Sequence, residues 1–145
     1  MSQFSGLLEQ IAARLPVRPA AYLWFFILWA ILLCFLSSRS ADPSSQPVIA
    51  HFDKLLHFSY FFIGGGIMAA YGGLRWAMLT PEKLAVITTL LCCAIGRLDE
   101  YHQGFIPGRS GNDTGDWLAD TLGGLFGSWL FIRCLMPRIV SKEAQ

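Results

Sequence analysis

The sequence predicts an all-α integral membrane protein, a bundle of four transmembrane helices with a short N-terminal amphipathic helix in the membrane interface. Only 14% of its 145 residues are charged, whereas a soluble domain carries about 25%. Hydrophobic residues make up 54%, and the mean hydropathy is +0.47. Four apolar segments follow one another along the chain. The net charge of +1 offers no basic patch, which excludes nucleic acid as a partner.

The apolar runs divide the chain into three parts. Residues 1–18 form an amphipathic segment, residues 19–137 the transmembrane domain, and residues 138–145 a cytoplasmic tail. In the first part, apolar residues recur at helical spacing, which is typical of a helix lying on a membrane surface. These residues are Phe4, Leu7, Leu8, Ile11 and Leu15.

The four membrane helices are predicted near residues 20–37, 54–74, 81–103 and 114–136. Crossing a bilayer core of about 30 Å takes about 20 residues. The third apolar run, from Leu84 to Gly96, is too short, so its helix must continue through charged residues toward Gln103. The alternative is a re-entrant hairpin that enters only half of the membrane.

Helix starts and orientation follow from short signals. Asp53, Thr80 and Asp113 are expected N-caps, and Pro81 suits a first helical turn. Seven Lys and Arg residues flank the helices on the side of both termini, and four flank them on the other side. Because basic residues accumulate in the cytoplasm, we expect both termini there and the charged loops on the outer face.

The stretch from Asp99 to Gly124 places carboxylates, an Arg and a His between apolar segments. A charge held at membrane depth is costly and therefore indicates a functional site. On three predicted helices, polar residues share a face with glycines, which let helices approach closely. The packing glycines are Gly64, Gly65, Gly96, Gly123, Gly124 and Gly127. We name the polar set above them the polar cup: Asp53, Lys54, His57, Glu100, Gln103, Arg109, Asp116 and Asp120.

Several residues of this stretch and of the polar cup can also have simpler, purely structural roles. Asp53 and Asp113 can be helix caps alone, although Asp53 also precedes His57 by four residues and can hydrogen-bond it. The Lys54 side chain can extend to the lipid headgroups. Arg109 is either the counter-ion of the nearby acids or a grip on a phosphate or carboxylate.

Two further polar residues of the same stretch, Asp99 and His102, are expected to face water. Glu100, Asp116 and Asp120 are expected to form a buried polar network, because they share faces with the glycines. Residue spacing leaves open whether that network is structural or functional.

These residues resemble the VanZ family of bacterial membrane proteins, named for a teicoplanin-resistance determinant. The family pattern is Asp-Lys-x-x-His, Glu-x-x-Gln, Pro-Gly-Arg, an Asp, and Asn or Asp followed by Gly. It corresponds here to Asp53, Lys54 and His57; Glu100 and Gln103; Pro107, Gly108 and Arg109; Asp116; and Asp120 with Gly123. The resemblance covers residues 52–127, and Asp120 departs from it because many relatives have Asn there. It implies a multi-pass protein of the bacterial cytoplasmic membrane, linked to glycopeptide tolerance, with no established reaction.

The favoured function is binding or translocation of an anionic envelope component, either a lipid-linked cell-wall precursor or a phospholipid headgroup. Lys54, His57 and Arg109 would hold the anion. The expected partners of the protein are membrane lipids, a lipid-linked cell-wall precursor or a glycopeptide. One alternative is an intramembrane metal-dependent phosphotransferase or hydrolase, with oxygen ligands for a divalent cation. Another is a structural accessory subunit. We expect no cofactor; the candidate metal ligands under the second alternative are Glu100, Asp116 and Asp120.

Overall fold

The computed structural model describes residues 2–40 and 51–143, which are helical apart from short connections. No strand occurs in those two ranges, so the predicted all-α class is confirmed. The chain forms α1 (Ser2–Arg14), α2 (Pro19–Ser37), α3 (Phe52–Arg75), α4 (Pro81–Gln103), α5 (Thr114–Leu130) and α6 (Met136–Glu143). A π-helical turn, Phe131–Leu135, joins α5 to α6.

Three helical stretches of the described chain are long and apolar enough to cross a membrane. They are α2, α3 and the continuous run Thr114–Lys142. Helix α4 has 23 residues, which is sufficient length, but it carries Arg97, Asp99 and Glu100 in its last two turns. A fourth membrane crossing therefore stays a prediction.

The helix starts agree with two of the three expected caps. Thr80 accepts a hydrogen bond from Lys83 N at 3.4 Å, and Asp113 accepts one from Gly115 N at 2.7 Å. The expected cap at Asp53 is wrong. His51 occupies the N-cap position of α3 with a left-handed backbone (φ 59°), and Asp53 lies inside the first turn. There its negative charge still suits the positive end of the helix dipole.

Glycines bring α3 and α5 into backbone contact. Gly65 lies against Gly124, and a Cβ added at Gly127 would meet the carbonyl oxygen of Phe62. Helix α5 also packs on α4, where Gly96 lies beneath the Asp120 side chain. The hydrophobic effect does not drive helices together in lipid, so the van der Waals contacts of such close packing stabilise the bundle instead.

Helix α2 joins the bundle through a reciprocal aromatic contact. Trp29 Nε1 donates to the Tyr60 carbonyl at 3.1 Å, and the Tyr60 hydroxyl donates to the Trp29 carbonyl at 2.7 Å. The Trp29 ring covers Gly64 of α3. This contact fixes α2 against the first half of α3.

The first and last helices meet at the end of the bundle opposite the start of α3. Lys142 Nζ donates to the Ala13 carbonyl at 2.7 Å. Ala12 and Ile139 are buried in the same apolar cluster. The outer side of α1 exposes Phe4 and Leu7, as expected for a helix whose apolar face contacts lipid.

Candidate functional site

The first turns of α3 and α5 meet the last turns of α4 at one end of the bundle. Several polar side chains here are buried, which is costly unless each polar atom finds a partner. Exposure is 1% for Glu100, 7% for Asp116 and 0% for Asp120. The other buried members of this end are Asp99 and Gln103. The partners of these side chains therefore determine what this end of the molecule can do.

Lys54 joins α3 to the start of α5. Its ammonium group lies 3.0 Å from Asp113 Oδ2, 3.0 Å from Asp116 Oδ1 and 3.1 Å from Asp53 Oδ2. The hydrogen bond from Lys54 holds the pKa of the Asp113 carboxyl below its usual range. Lys54 is therefore bonded to three carboxylates. In this geometry its ammonium group neither extends to the lipid headgroups nor is free to contact an anionic ligand.

His57 makes the second link between α3 and α5. Its Nδ1 lies 2.9 Å from Asp120 Oδ1, so the expected Asp53–His57 hydrogen bond is not the one formed. A carboxylate on one ring nitrogen fixes the tautomer and the ring orientation. The nitrogen left for another partner is Nε2.

Glu100 projects from α4 toward the other two helices. The connection after α4 folds back with left-handed glycines at Gly108 (φ 79°) and Gly111 (φ 54°). This reversal brings Asp113 N within 2.6 Å of Glu100 Oε2. In the described ranges, however, no donor reaches Glu100 Oε1 or Asp120 Oδ2, although both atoms are buried.

Two groups of side chains at this end have the spacing of metal ligands. In the first group, each side chain offers one ligand atom, and the three atoms lie within 4.8 Å of one another. The group consists of His57, Glu100 and Asp116. The second group is Asp53, Asp113 and Asp116, and the Lys54 ammonium already bonds all three. Asp120 was a candidate metal ligand from the sequence, but it belongs to neither group and instead contacts His57 Nδ1.

Arg109 does not pair with the acids in the part of the chain that the structure describes. Its Nε donates to the Arg39 carbonyl at 3.2 Å, and Nη2 donates to the Leu36 carbonyl at 3.2 Å. Its Nη1 donates to Gln103 Oε1 at 3.4 Å. The counter-ion interpretation is thus wrong for this structure. Arg109 satisfies carbonyls at the C-terminal end of α2, a favourable place for a cation.

Asp99 is a residue whose role the sequence analysis missed. We expected it in water, yet it is buried, with its two oxygens bonded to Ser37 Oγ at 2.5 Å and Gln103 Nε2 at 2.7 Å. Its spacing of four residues from Gln103 on one helix is the signal that pointed to this contact. Asp113 is the expected cap and also bonds Lys54, and no role was predicted for Ser37.

An apolar groove runs beside this site. A cavity of 590 Å³ lies between α2, α3 and α4, with Leu84, Thr88 and Ile95 along its α4 side. A second cavity of 290 Å³ shares Phe26 and Ile95 with it and ends at Asp99 and His102. We name the two together the lateral groove. It runs from the apolar half of the bundle to Asp99 and His102, and Asp99 bonds Gln103 of the polar cup.

Comparison with known proteins gives a family. No curated protein and no solved structure has a significant match to the chain. The family model described as VanZ/LLP1 matches residues 22–136, a range that contains most of α2, all of α3 to α5 and every member of the polar cup. The chain therefore belongs to the VanZ/LLP1 family of membrane proteins.

Proposed function

We propose that this protein binds an anionic envelope lipid, with the headgroup at the polar cup and one acyl chain in the lateral groove. The lipid is a phospholipid or a lipid-linked cell-wall precursor, and it is either held in place or moved between leaflets. The observation that carries the proposal is the groove itself, which is apolar along its length and reaches Asp99 and His102.

The dimensions of the groove suit a lipid chain. Its α4 side extends from Leu84 to Asp99, which is roughly 22 Å at 1.5 Å per residue. Half of a bilayer core is only about 15 Å. A chain entering from the bilayer therefore reaches the cavity past Ile95 while its headgroup stays near the end of α4.

Basic groups gather where the groove ends. Arg39 is exposed and lies over the Phe35 ring at 4.7 Å. Arg109 bonds the Arg39 carbonyl, and half-buried His102 lines the groove. Since Lys54 is engaged by acids, we assign the attraction of the anion to Arg39, His102 and Arg109 rather than to Lys54.

The test is retention of lipid by the purified protein. We expect native mass spectrometry in detergent to show one phosphatidylglycerol retained in preference to phosphatidylcholine. Ala30→Phe places a ring in the groove, which Ala30 lines, and should remove that lipid. The matched control is Ile31→Phe, because Ile31 is the next residue and is 61% exposed on the outside of α2. Equal retention of both lipids, or an Ala30→Phe variant that retains lipid normally, contradicts the proposal.

In cells, we propose that the protein acts in the bacterial cytoplasmic membrane and contributes to glycopeptide tolerance. Its expression in a teicoplanin-sensitive strain should raise the tolerated concentration, and Ala30→Phe should abolish the increase. Ile31→Phe should preserve it. Unchanged tolerance with wild-type protein correctly inserted in the membrane would argue against the glycopeptide link while leaving lipid binding to its own test.

A second candidate function is an intramembrane hydrolase or phosphotransferase acting on such a headgroup. The observation that favours it is the His57–Asp120 pair at 2.9 Å, because an oriented imidazole is a suitable general base. Purified protein should then hydrolyse phosphatidylglycerol, with water breaking one phosphodiester bond to release glycerol or glycerol phosphate, and His57→Ala should not. The control variant is Glu82→Gln, at an exposed residue in the first turn of α4, the end of that helix opposite Glu100.

A further inference from the structure

Three metal-ligating side chains from three helices converge inside the polar cup. His57 comes from α3, Glu100 from α4 and Asp116 from α5, and their ligand atoms lie within 4.8 Å of one another. We infer that these three residues bind one divalent transition metal ion of the Zn²⁺ type. This site goes beyond headgroup binding, because it concerns a resident cation rather than the lipid.

The bonding of each side chain leaves one ligand atom for the ion. His57 uses Nδ1 for Asp120, which leaves Nε2. Glu100 uses Oε2 for Asp113 N, which leaves Oε1. Asp116 uses Oδ1 for Lys54, which leaves Oδ2. The three helices thus provide one nitrogen and two carboxylate oxygens.

The Glu100 side chain is the independent observation that points to a ligand. Glu100 is 1% exposed, and no donor among the described residues reaches its buried Oε1. A buried carboxylate oxygen without a partner is strongly unfavourable. A cation between Glu100, Asp116 and His57 removes this cost by bonding the oxygen directly.

The surroundings of His57 match those of a metal-bound histidine. Such a histidine usually donates its second ring nitrogen to a carboxylate, which fixes its orientation. Asp120 is 0% exposed and occupies that position. Asp120 is therefore a positioning residue, and its contact with Gly96 holds it in place.

Distances and donor types define the kind of ion. Zn²⁺ bonds nitrogen and oxygen at about 2.0–2.2 Å, and in its usual tetrahedral geometry two such ligand atoms stand about 3.5 Å apart. The three atoms already lie within 4.8 Å of one another, so binding requires them to draw together by at most about 1.3 Å through changes in side-chain rotamers. A set that includes imidazole favours Zn²⁺ or another late divalent ion over Mg²⁺ and Ca²⁺.

The experiment measures zinc on the full-length protein in detergent. Protein stripped with EDTA and exchanged into chelator-free buffer is titrated with ZnCl₂ by calorimetry, and the bound metal is counted by mass spectrometry. We expect one Zn²⁺ per chain, weaker binding of Mg²⁺, and a Zn²⁺-dependent rise in Tm. Glu100→Gln keeps the side-chain shape but should weaken Zn²⁺ binding at least tenfold. Asp120→Ala should weaken it about 10–100-fold through His57.

The controls separate this site from the other proposals. Glu82→Gln is also an acid-to-amide change, at an exposed residue in the first turn of α4, and should bind Zn²⁺ as wild type does. Ala30→Phe should lose lipid yet retain Zn²⁺, so the failure of either proposal leaves the other measurable. If Glu100→Gln does not fold, Asp116→Asn and His57→Ala take its place, and each should weaken Zn²⁺ binding in the same way. Less than one fifth of a Zn²⁺ per chain in wild type, or ligand variants that bind normally, would overturn the inference.

Discussion

The 2.9 Å contact between His57 Nδ1 and Asp120 Oδ1 joins α3 to α5 at the level where α4 contributes Glu100. Directly beneath it, Gly96 of α4 lies against the Asp120 side chain. Because a Cβ at position 96 would displace the Asp120 side chain, the approach of α4 to α5 and the orientation of His57 depend on each other. Helix packing and the polar cup are therefore one structural unit.

Removing Lys54 should destabilise the protein. Lys54→Met leaves Asp53, Asp113 and Asp116 without their shared cation, and hydrogen bonds to charged groups contribute about 1.5–3 kcal/mol. We expect a lower Tm in detergent, with part of the loss recovered by adding Asp116→Asn. The control, Lys83→Met, changes an exposed lysine at the start of α4 and should be neutral. Equal Tm values for Lys54→Met and Lys83→Met would show that the cluster contributes no stability.

Arg109 should act through α2 rather than through the acids. Arg109→Ala loses the bonds to Leu36, Arg39 and Gln103, and we expect a lower Tm and faster proteolysis after α2. Because Arg109 does not contact Asp120, adding Asp120→Asn should give no recovery. If Tm recovered in the double variant, Arg109 would act as a counter-ion of Asp120 after all, and the present assignment would be wrong. Arg39→Ala is the control, since only the Arg39 backbone accepts from Arg109.

Sequence patterns predicted the helices better than the contacts between them. Run lengths and capping residues depend on neighbours in the chain, and so the starts at Thr80 and Asp113 were predictable. One of the two interpretations of Arg109, as counter-ion of the nearby acids, rested only on their closeness in sequence. Its real partners, Leu36 and Arg39, are about 70 residues away, and residue spacing carries no information on such pairs.

The same reasoning explains the errors within the polar cup. Asp53 was a suitable cap by residue type, but the N-cap is the left-handed His51, so α3 starts two residues earlier. Asp99 was expected in water because it is charged, whereas Ser37 and Gln103 satisfy it in the interior. Which polar group becomes buried depends on the rotation of each helix about its axis, and that rotation is set by contacts between helices.

Close glycine contacts should be sensitive to a single added methyl group. A Cβ at Gly127 would meet the Phe62 carbonyl, whereas a Cβ at Gly66 would meet only Gly127 O at 3.8 Å. We expect Gly127→Ala to lower the free energy of unfolding by about 1–3 kcal/mol, the usual cost of overpacking. Gly66→Ala should be neutral or stabilise by up to about 1 kcal/mol. Comparing thermal unfolding of the two variants tests whether α3 and α5 pack as described; similar losses at both positions would contradict it.

Helix α4 should complete a fourth crossing, with both termini in the cytoplasm. Its charged Asp99 and Glu100 are buried inside the bundle, while Val86, Leu90 and Leu98 are exposed on its outer side. The two acidic charges therefore reduce the mean hydropathy without facing the membrane. Arg97 is exposed in the last two turns of α4, where a long basic side chain extends to the lipid headgroups. In a variant with all four cysteines replaced by alanine, Ser110→Cys should react with an impermeant external reagent. Met78→Cys, at the other end of α4 and 89% exposed, should react only after the membrane is opened. External reaction at both positions would identify a re-entrant hairpin, and reaction at Met78→Cys alone would invert the topology.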